Sequence, residues 1–206
     1  MASLAAVAAA TIISAYTAKA QQDSCIEIKQ RICAAAQRTQ TMECDFVQTK
    51  RNKMLKDAAV MSGHLVYKQP ESIYWRCETP NKVSFATNGQ NAKVSKDGKT
   101  TVTNLSDNKI YKRIKRMAKG GLGVDGILSS DDFASSITEE NSTWVVTLTP
   151  KRKELKQIIE KVTLHADPKD AIVKTVDILG KNGDRTTMEF KNIRVNETVD
   201  TDLFSF

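Results

Sequence analysis

The residues of this chain best suited to chemistry are two histidines, a pair of aspartates and a glycine-rich segment. His64 and His165 fall on different predicted strands, without a carboxylate or cysteine at the spacing that metal ligands or a general base require. Asp131-Asp132 is expected to begin a helix, where the helix dipole favours negative charge. Gly120-Gly121-Leu122-Gly123 follows a basic run and not an apolar strand, so we interpret it as a hinge and not as a phosphate-binding loop. We therefore expect no enzymatic activity, no metal and no cofactor.

The four cysteines, at positions 25, 33, 44 and 77, are the remaining reactive groups. They include no Cys-x-x-Cys pair, which disfavours zinc ribbons and thioredoxin-like chemistry. Cys25 and Cys33 are too far apart on a predicted helix to bridge, at about 12 Å along its axis. Four cysteines allow three pairings, and helix-to-strand pairs are favoured if any form.

The N-terminus predicts export. An Ala-rich apolar run from Leu4 to Ala15, followed by Ala18-Lys19-Ala20, is typical of a signal peptide over residues 1–20 that is cleaved before Gln21. No Lys or Arg precedes the run, and a buried N-terminal helix is the alternative. The formal charge of +7 becomes +6 after loss of Lys19. A basic exported protein suits anionic lipid or acidic surfaces, and nucleic acid is not an expected partner.

The rest of the chain, residues 21–206, is predicted to form a single domain that begins with a helix and continues in strands. The capping box Ser24-x-x-Glu27 and apolar residues at helical spacing predict a helix over 24–38. From residue 42 apolar and polar residues alternate, and Asn88-Gly89 and Asp97-Gly98 are tight-turn dipeptides. The predicted strands are 42–50, 59–68, 72–78, 82–87, 91–96, 99–104, 143–149, 157–165, 171–179 and 185–192, with a final short strand that includes Phe204 and Phe206.

The region 108–140 breaks this alternation. A basic run over 109–119 predicts either a solvated face or a surface that docks to an acidic partner or an anionic membrane. Ser129 to Asp132 is expected to begin a second helix that carries Phe133 and Ile137. The whole pattern predicts a mainly β (α+β) fold, an incomplete and strongly curved antiparallel barrel with helices across its open side.

Large apolar side chains dominate the stretch from Phe46 to Gly89, and no acid, base or nucleophile stands among those on the buried side. Core packing is the default interpretation of such a face, and a surface that holds an apolar ligand is the alternative. Several short motifs follow one another along the chain, and their order is informative. They are Phe46-x-Gln48, Gly63-x-Leu65, Gln69-Pro70, Ile73-x-Trp75, Pro80, Asn88-Gly89, Leu148-Thr149-Pro150-Lys151, Gly183-Asp184, Phe190, Asn196 and Phe204.

In these motifs the chain resembles the periplasmic outer-membrane lipoprotein carrier (LolA-like) family. The resemblance implies a half-barrel with a helical lid over an apolar cavity, located in the periplasm of a Gram-negative bacterium. It also implies acylated lipoproteins as cargo, an inner-membrane lipoprotein-release complex as donor, an outer-membrane acceptor and a monomeric carrier. Members often carry Arg immediately before the motif proline, where this chain has Gln69, so we expect Gln69 to be a weak latch for the lid.

The resemblance and the apolar pattern together predict the binding residues. The cavity wall is assigned to one set of side chains, the lid to two helices, and docking to the basic run. The wall residues are Phe46, Leu65, Tyr67, Ile73, Trp75 and Phe85; the lid residues are Ile28, Ile32, Phe133 and Ile137; the docking residues are Lys112, Arg113, Lys115 and Arg116.

Three other functions are compatible with parts of this pattern. A sensor of mislocalised lipoproteins would use the same half-barrel, usually with an additional domain. A carrier of other lipids or glycolipids would need the same apolar cavity. An exported hydrolase is disfavoured because no nucleophile–base set is evident.

Overall fold

The computed structural model describes residues 24–54, 57–105 and 124–206, without the side chain of Asp125. The predicted signal peptide over residues 1–20 lies outside the described residues. So do the glycine-rich hinge and the four docking residues Lys112, Arg113, Lys115 and Arg116.

The predicted first helix, α1, is present over residues 24–38. Ile28 and Ile32, four residues apart, are buried on one side of it, as its apolar spacing predicts. Its last turn is closed at Thr39, whose N–H and hydroxyl both donate to the carbonyl oxygen of Ala35, at 3.1 and 2.9 Å. The guanidinium of Arg31 donates to the carbonyl of Pro168 at 2.7 Å and lies 4.5 Å from the centre of the Trp144 ring. These contacts hold the helix against the sheet.

Eleven strands of the described residues form one antiparallel sheet in the order β6-β5-β4-β3-β2-β1-β11-β10-β9-β8-β7. Strand β1 pairs with β11 in the middle of the sheet, where Met42 faces Val195, and β6 and β7 are its two edges. The strands are β1 (Thr41–Arg51), β2 (Ala58–Lys68), β3 (Ser72–Thr79), β4 (Val83–Asn88), β5 (Asn91–Lys96), β6 (Lys99–Asn104), β7 (Phe133–Glu140), β8 (Thr143–Pro150), β9 (Ile159–Ala166), β10 (Val173–Gly180) and β11 (Arg185–Val195). The shorter helical segments are α2 (Val124–Leu128), α3 (Lys153–Lys156) and the 3-10 helix η1 (Thr201–Phe204).

This open antiparallel sheet, with few helices, confirms the predicted fold class. The tight turns form where glycine permits them: Gly89 has φ 88° between β4 and β5, and Gly98 has φ 74° between β5 and β6. Among the described residues, no helix is long and apolar enough to cross a membrane.

The second predicted helix is wrong, because Phe133 and Ile137 lie in strand β7. The Ser130 hydroxyl accepts a hydrogen bond from the Asp132 N–H at 2.9 Å, which forms a local turn before the strand. A spacing of four residues fits both a helix face and one side of a strand, and pairing with the strongly apolar β8 decides for the strand. The helix in this region lies earlier, at α2.

The expectation that Asp131-Asp132 begins a helix is therefore wrong too, because both residues lie in the turn before β7. The Asp132 carboxylate instead forms an ion pair with Arg152, at 2.8 Å from its Nε.

The predicted final strand is also wrong. Phe204 ends the 3-10 helix η1, which is capped by the Asp200 carboxylate, an acceptor from the Asp202 N–H at 3.0 Å. The amide of Asn88 donates to the carbonyl of Phe204, and the ammonium group of Lys93 lies 4.8 Å from the centre of the Phe206 ring. The C-terminal segment thus packs on β3–β5 through side chains and adds no strand to the sheet.

The main core lies where α1 covers the inner face of β7–β9, and we call this half of the molecule the closed half. Val146 and Leu148 of β8 are 0% exposed there. Ile28, Ile32 and Phe133 belong to the same cluster. A second cluster lies on the same face of the sheet, on β1–β3 and β11, and surrounds Phe46. We call β1–β5, with this face, the open half.

Candidate functional site

A cavity of about 260 Å³ separates the C-terminal part of α1 from the inner face of the sheet. Its lining side chains are apolar except for Thr39, whose hydroxyl already donates a hydrogen bond to the Ala35 carbonyl. No charged side chain lines it. The lining residues are Ile32, Ala35, Ala36, Thr39, Met42, Leu65, Ile73, Trp75, Val124, Ala171, Ile172, Val173, Val176, Phe190 and Val195.

The structure brings four of the predicted binding residues into this lining. Ile32 comes from α1, Leu65 from β2, and Ile73 and Trp75 from β3. Leu65 faces Trp75 directly across the β2–β3 ladder, so both side chains stand on the same face. The cavity is therefore bounded by one helix and a continuous apolar sheet face.

Phe46 lies on the same inner face and packs against Trp75, but it does not line the cavity. It is 1% exposed, and its ring centroid is 4.1 Å from that of Trp75, with the rings tilted by 38°. Phe46 faces Gly63 on β2, where an added Cβ would lie 2.8 Å from the Phe46 ring and 1.9 Å from the Arg76 carbonyl oxygen. Glycine at this position gives the Phe46 ring its place under Trp75.

Tyr67 occupies the same face of β2, between Met42 on β1 and Ile73 on β3. The side chain is buried, at 2% exposure, and its hydroxyl has no hydrogen-bond partner in the described part of the chain. Burial raises the pKa of Tyr67, so its hydroxyl keeps its proton at neutral pH.

Phe85 lies beside the cavity and extends its apolar surface. It faces Trp75 on one side and Val94 on the other, so these side chains share the inner face. Phe85 is half-buried, and Val94 is 41% exposed. The row Leu65, Trp75, Phe85 and Val94 covers four adjacent strands, about 14 Å at the usual strand spacing.

Three predicted lid residues do not line the cavity. Ile28, Phe133 and Ile137 are buried in the closed half, where α1 packs on the sheet. For Phe133 and Ile137 the reason is that β7 is a strand of the sheet and not a helix over its open side.

Sequence reasoning missed the lining residues that β1, β10 and β11 contribute. Met42, Val176, Phe190 and Val195 reach the cavity because β1 and β11 are neighbours in the sheet. The alternation in Met42-x-Cys44-x-Phe46 was a usable signal for the first of them. The pairing of strands about 150 residues apart was not visible in the sequence.

Gln69 contacts the end of α1. Its side-chain amide donates to the carbonyl oxygens of Gln37 and Thr39, at 3.0 and 2.9 Å. Backbone carbonyls at a helix C-terminus lack partners within the helix, so a side-chain donor there satisfies two of them. Its amide thus joins the β2–β3 turn to α1 without using a charge.

The two histidines lie on the outer face of the sheet, away from the cavity. In His64 the Nδ1 is 3.0 Å from Asp45 Oδ1 and the Nε2 is 2.9 Å from Glu43 Oε1. Both ring nitrogens thus face carboxylates of the protein, and neither faces the cavity. Glu43 also pairs with Arg194 at 2.8 Å, so the cluster joins β1, β2 and β11.

Asp45 of this cluster also accepts a hydrogen bond from Asn192. Hydrogen bonds from Asn192 at 2.7 Å and from His64 lower the pKa of Asp45.

His165 belongs to a different arrangement. Its Nε2 is 3.3 Å from Asp177, whose other carboxylate oxygen accepts from the Thr187 hydroxyl. The carboxylate thus lies between the hydroxyl and the imidazole, whereas a nucleophile is activated by an imidazole that lies between it and the carboxylate. Among the described residues, no cluster of histidines, cysteines and carboxylates has the form of a metal site.

No disulfide joins the four cysteines, all of which lie in the described part of the chain. The Cys25 thiol donates to the Ile137 carbonyl at 3.3 Å, and the Cys77 thiol to the Thr79 carbonyl at 3.1 Å. Burial, with the nearby charges of Asp45 and Glu43, raises the pKa of Cys44 to about 12. Cys44 is therefore protonated and unreactive at neutral pH.

A larger depression of about 570 Å³ lies at the ends of β3–β5. Arg76, Glu78, Lys82, Lys96 and Asp97 contribute to its rim, so its surface mixes both signs of charge. The smaller cavity is the better candidate, because its lining has a single chemical character and encloses the predicted residues.

The family of the chain follows from a match that covers most of its length. Residues 37–206 match the family described as outer membrane lipoprotein carrier protein LolA. The chain belongs to this family. An outer-membrane lipoprotein carrier protein of Pseudomonas putida (strain GB-1) is 23% identical over 178 residues, which are 86% of this chain and 82% of the relative.

Two solved structures with similar folds extend the comparison of this LolA-family protein. Lipoprotein LppX of Mycobacterium tuberculosis is superposed with a TM-score of 0.54 at 14% identity, covering 85% of this chain and 97% of its own. An uncharacterized conserved protein of Thermus thermophilus gives a TM-score of 0.54 at 6% identity, covering 86% and 90%. At such identities these structures support the fold alone.

Proposed function

We propose that this LolA-family protein is a periplasmic carrier that shelters the acyl chains of lipoproteins during transfer from the inner to the outer membrane. The observation that supports it best is the uncharged cavity between α1 and the sheet, continued by the apolar row from Trp75 to Val94. The related carrier of Pseudomonas putida supports the same function.

The physical requirement is the cost of exposing hydrocarbon to water. Each methylene group transferred to water costs about 0.8 kcal/mol, so a long acyl chain costs on the order of 10 kcal/mol. A carrier must offset most of this cost and still release its cargo. An apolar lining without charged groups suits both needs, because apolar contacts are not directional.

The size of the cavity indicates how cargo is held. Its volume of about 260 Å³ lies slightly below the roughly 300–1,000 Å³ of ordinary ligand sites. A long chain therefore needs additional surface, and the row over Phe85 and Val94 continues the lining in the direction of strand β5. We propose that the chain enters beneath α1 and lies along this row.

The helix α1 would act as one side of the lid. Gln69 fastens its C-terminal end by neutral hydrogen bonds, which are weaker than the bonds that an arginine would form there. The donor complex and the outer-membrane acceptor would be the protein partners, and the basic run over 109–119 would supply a docking surface.

Identification of retained ligands is the direct test. We expect mass spectrometry of the mature protein, purified from the periplasm under non-denaturing conditions, to find acylated lipoprotein. Free phospholipid or glycolipid as the only ligand would identify a carrier of other lipids, since the uncharged lining selects for hydrocarbon and not for a headgroup. Absence of any lipid, with no binding of added acylated peptide, would contradict the proposal.

Two matched charge substitutions test the assigned wall. Ile73→Glu places a carboxylate in the cavity, and we expect binding of acylated peptide to fall by at least about 100-fold, since an uncompensated buried charge costs several kcal/mol. Val60→Glu is the control, because Val60 lies on the outer face of the neighbouring strand and is 54% exposed. Equal binding by the two folded variants would contradict the location of the site.

A further inference from the structure

The hydroxyl of Tyr67 is the buried polar side-chain group without a hydrogen-bond partner in the described part of the chain. Buried polar groups are nearly always paired in folded proteins, and an unpaired one destabilises the fold. The side chain is 2% exposed, so bulk water does not reach the hydroxyl. Such a group requires an explanation other than ordinary core packing, for which phenylalanine would serve better.

Tyr67 adjoins the cavity but does not itself line it. Its cross-strand neighbours Met42 and Ile73 both line the cavity, and so does Leu65, two residues earlier on the same face of β2. Tyr67 belongs to the same cluster of packed side chains as these three residues. Tyr67 is thus packed directly against the residues of the sheet that form the cavity wall.

Two other side-chain donors near the cavity already have acceptors within the protein. The Thr39 hydroxyl donates to the Ala35 carbonyl at 2.9 Å. The Gln69 amide donates to the carbonyls of Gln37 and Thr39. Within the described residues at this wall, Tyr67 is left with a proton to donate and no acceptor for it.

We propose that the Tyr67 hydroxyl donates a hydrogen bond to the carbonyl oxygen of an acyl ester or amide whose chain occupies the cavity. This inference rests on the proposed function and names a further specificity-determining residue for it. An acyl chain carries its one strong acceptor at the carbonyl, so a single buried donor fixes how deeply the chain enters. A hydrocarbon ligand without a carbonyl leaves this hydrogen bond unmade, as it is in the ligand-free protein, and therefore gains no affinity from the hydroxyl.

A pair of ligands that differ only in the carbonyl tests this directly. 1-Palmitoylglycerol has an ester carbonyl, and 1-O-hexadecylglycerol has an ether with the same chain length. For the wild-type protein we expect the ester to bind roughly 3- to 10-fold more tightly than the ether, the usual range for one net hydrogen bond. In Tyr67→Phe we expect this preference to disappear, through weaker binding of the ester and unchanged binding of the ether.

Tyr74→Phe is the matched control, because Tyr74 is next to Ile73 on β3 and therefore on the opposite face of the sheet. It should keep the full preference for the ester. Urea unfolding of the ligand-free proteins adds a second measurement. Tyr67→Phe should be at least as stable as the wild type, because it removes a buried hydroxyl that has no partner.

The outcomes separate the inference from the proposed function. If the wild type binds neither ligand, the carrier function fails and the inference fails with it. If both ligands bind and Tyr67→Phe keeps the wild-type preference, the inference alone is overturned. A marked loss of stability in ligand-free Tyr67→Phe would also overturn it, since the hydroxyl would then have a partner within the protein.

Discussion

The closed half and the open half share one face of the same sheet but use it differently. In the closed half, α1 packs on the face, and Val146 and Leu148 are 0% exposed. In the open half, Ile73, Trp75 and Phe85 are only half-buried, and Val94 is 41% exposed. The two halves have similar apolar residues, so the position of α1 decides which of them is core and which is binding surface.

This difference also separates stability from affinity. Residues under the helix have their contacts made in the ligand-free protein, whereas residues beside the cavity have contacts left to make. Substitutions in the closed half should therefore change the free energy of unfolding, and substitutions in the open half should change binding.

The largest expected effect is in the closed half. Leu148→Ala should lower the free energy of unfolding by about 3–4 kcal/mol, because Leu148 is fully enclosed and its removal leaves a void. Urea unfolding measures this loss, and the exposed neighbour Thr149→Ala is the control. The affinity of the folded variant for acylated peptide should equal that of the wild type. A large loss of affinity would show that the two halves are not independent.

The next effect is in the open half. Phe85→Ala should weaken binding of a palmitoyl ligand roughly five- to tenfold, through lost apolar contact, and leave a decanoyl ligand unaffected. The difference arises because only a long chain reaches beyond Trp75 to Phe85. Fluorescence competition with ligands of both lengths measures it, and Val102→Ala, 52% exposed on the other face of the sheet, is the control. Equal losses for both lengths would contradict the proposed path of the chain.

A smaller effect concerns the connection between the two halves. Gln69→Ala removes two hydrogen bonds to the end of α1 and should lower stability by about 1 kcal/mol. Hydrogen exchange should become faster in the last turn of α1 and stay unchanged in β8. The exposed residue Gln90 supplies the control Gln90→Ala. Unchanged exchange in α1 would show that the amide does not hold the helix.

The smallest effect is in the cluster on the outer face. The folded-state pKa of Asp45 is lowered, so its contribution to stability is present above its unfolded pKa of about 3.9 and is lost as the pH falls through the folded pKa. Asp45→Asn should cost less than about 1 kcal/mol at pH 7, because the side chain is 50% exposed. The difference from the wild type should shrink below pH 4.

Urea unfolding at several pH values measures this dependence, and the exposed Asp131→Asn is the control. A difference that grows on acidification would reverse the assigned direction. Binding of acyl ligands should be unaffected at any pH, since the cluster lies behind the wall.

The sequence allowed much of the sheet to be predicted. Alternation and turn dipeptides located ten of its strands, because in a sheet with one buried face the pattern depends on local residues only. Strand β7 was missed because Phe133 and Ile137 fit a helical spacing equally well, and the deciding contact was its pairing with β8. The outcome of such a competition depends on tertiary structure.

The candidate site was predicted in part for the same reason. Leu65, Ile73 and Trp75 lie on consecutive strands of a local meander, so their common face follows from the alternation. Met42 and Phe190 line the cavity because β1 and β11 meet across the length of the chain. Such a contact cannot be inferred from the residues that neighbour either one in the sequence.

The central pairing of β1 with β11 has a consequence for how the molecule is made. The first strand of the chain, β1, cannot pair with the last one, β11, until β11 has been synthesised. Met42 therefore meets Val195 only after nearly the whole chain has been made. Pairing between such distant segments has a large loop-closure entropy and slows folding. Until then the two meanders of the sheet present unpaired inner strands to their surroundings. For a carrier exported as proposed above, this favours a chain kept unfolded until translocation is complete, with the binding cavity among the last features to form.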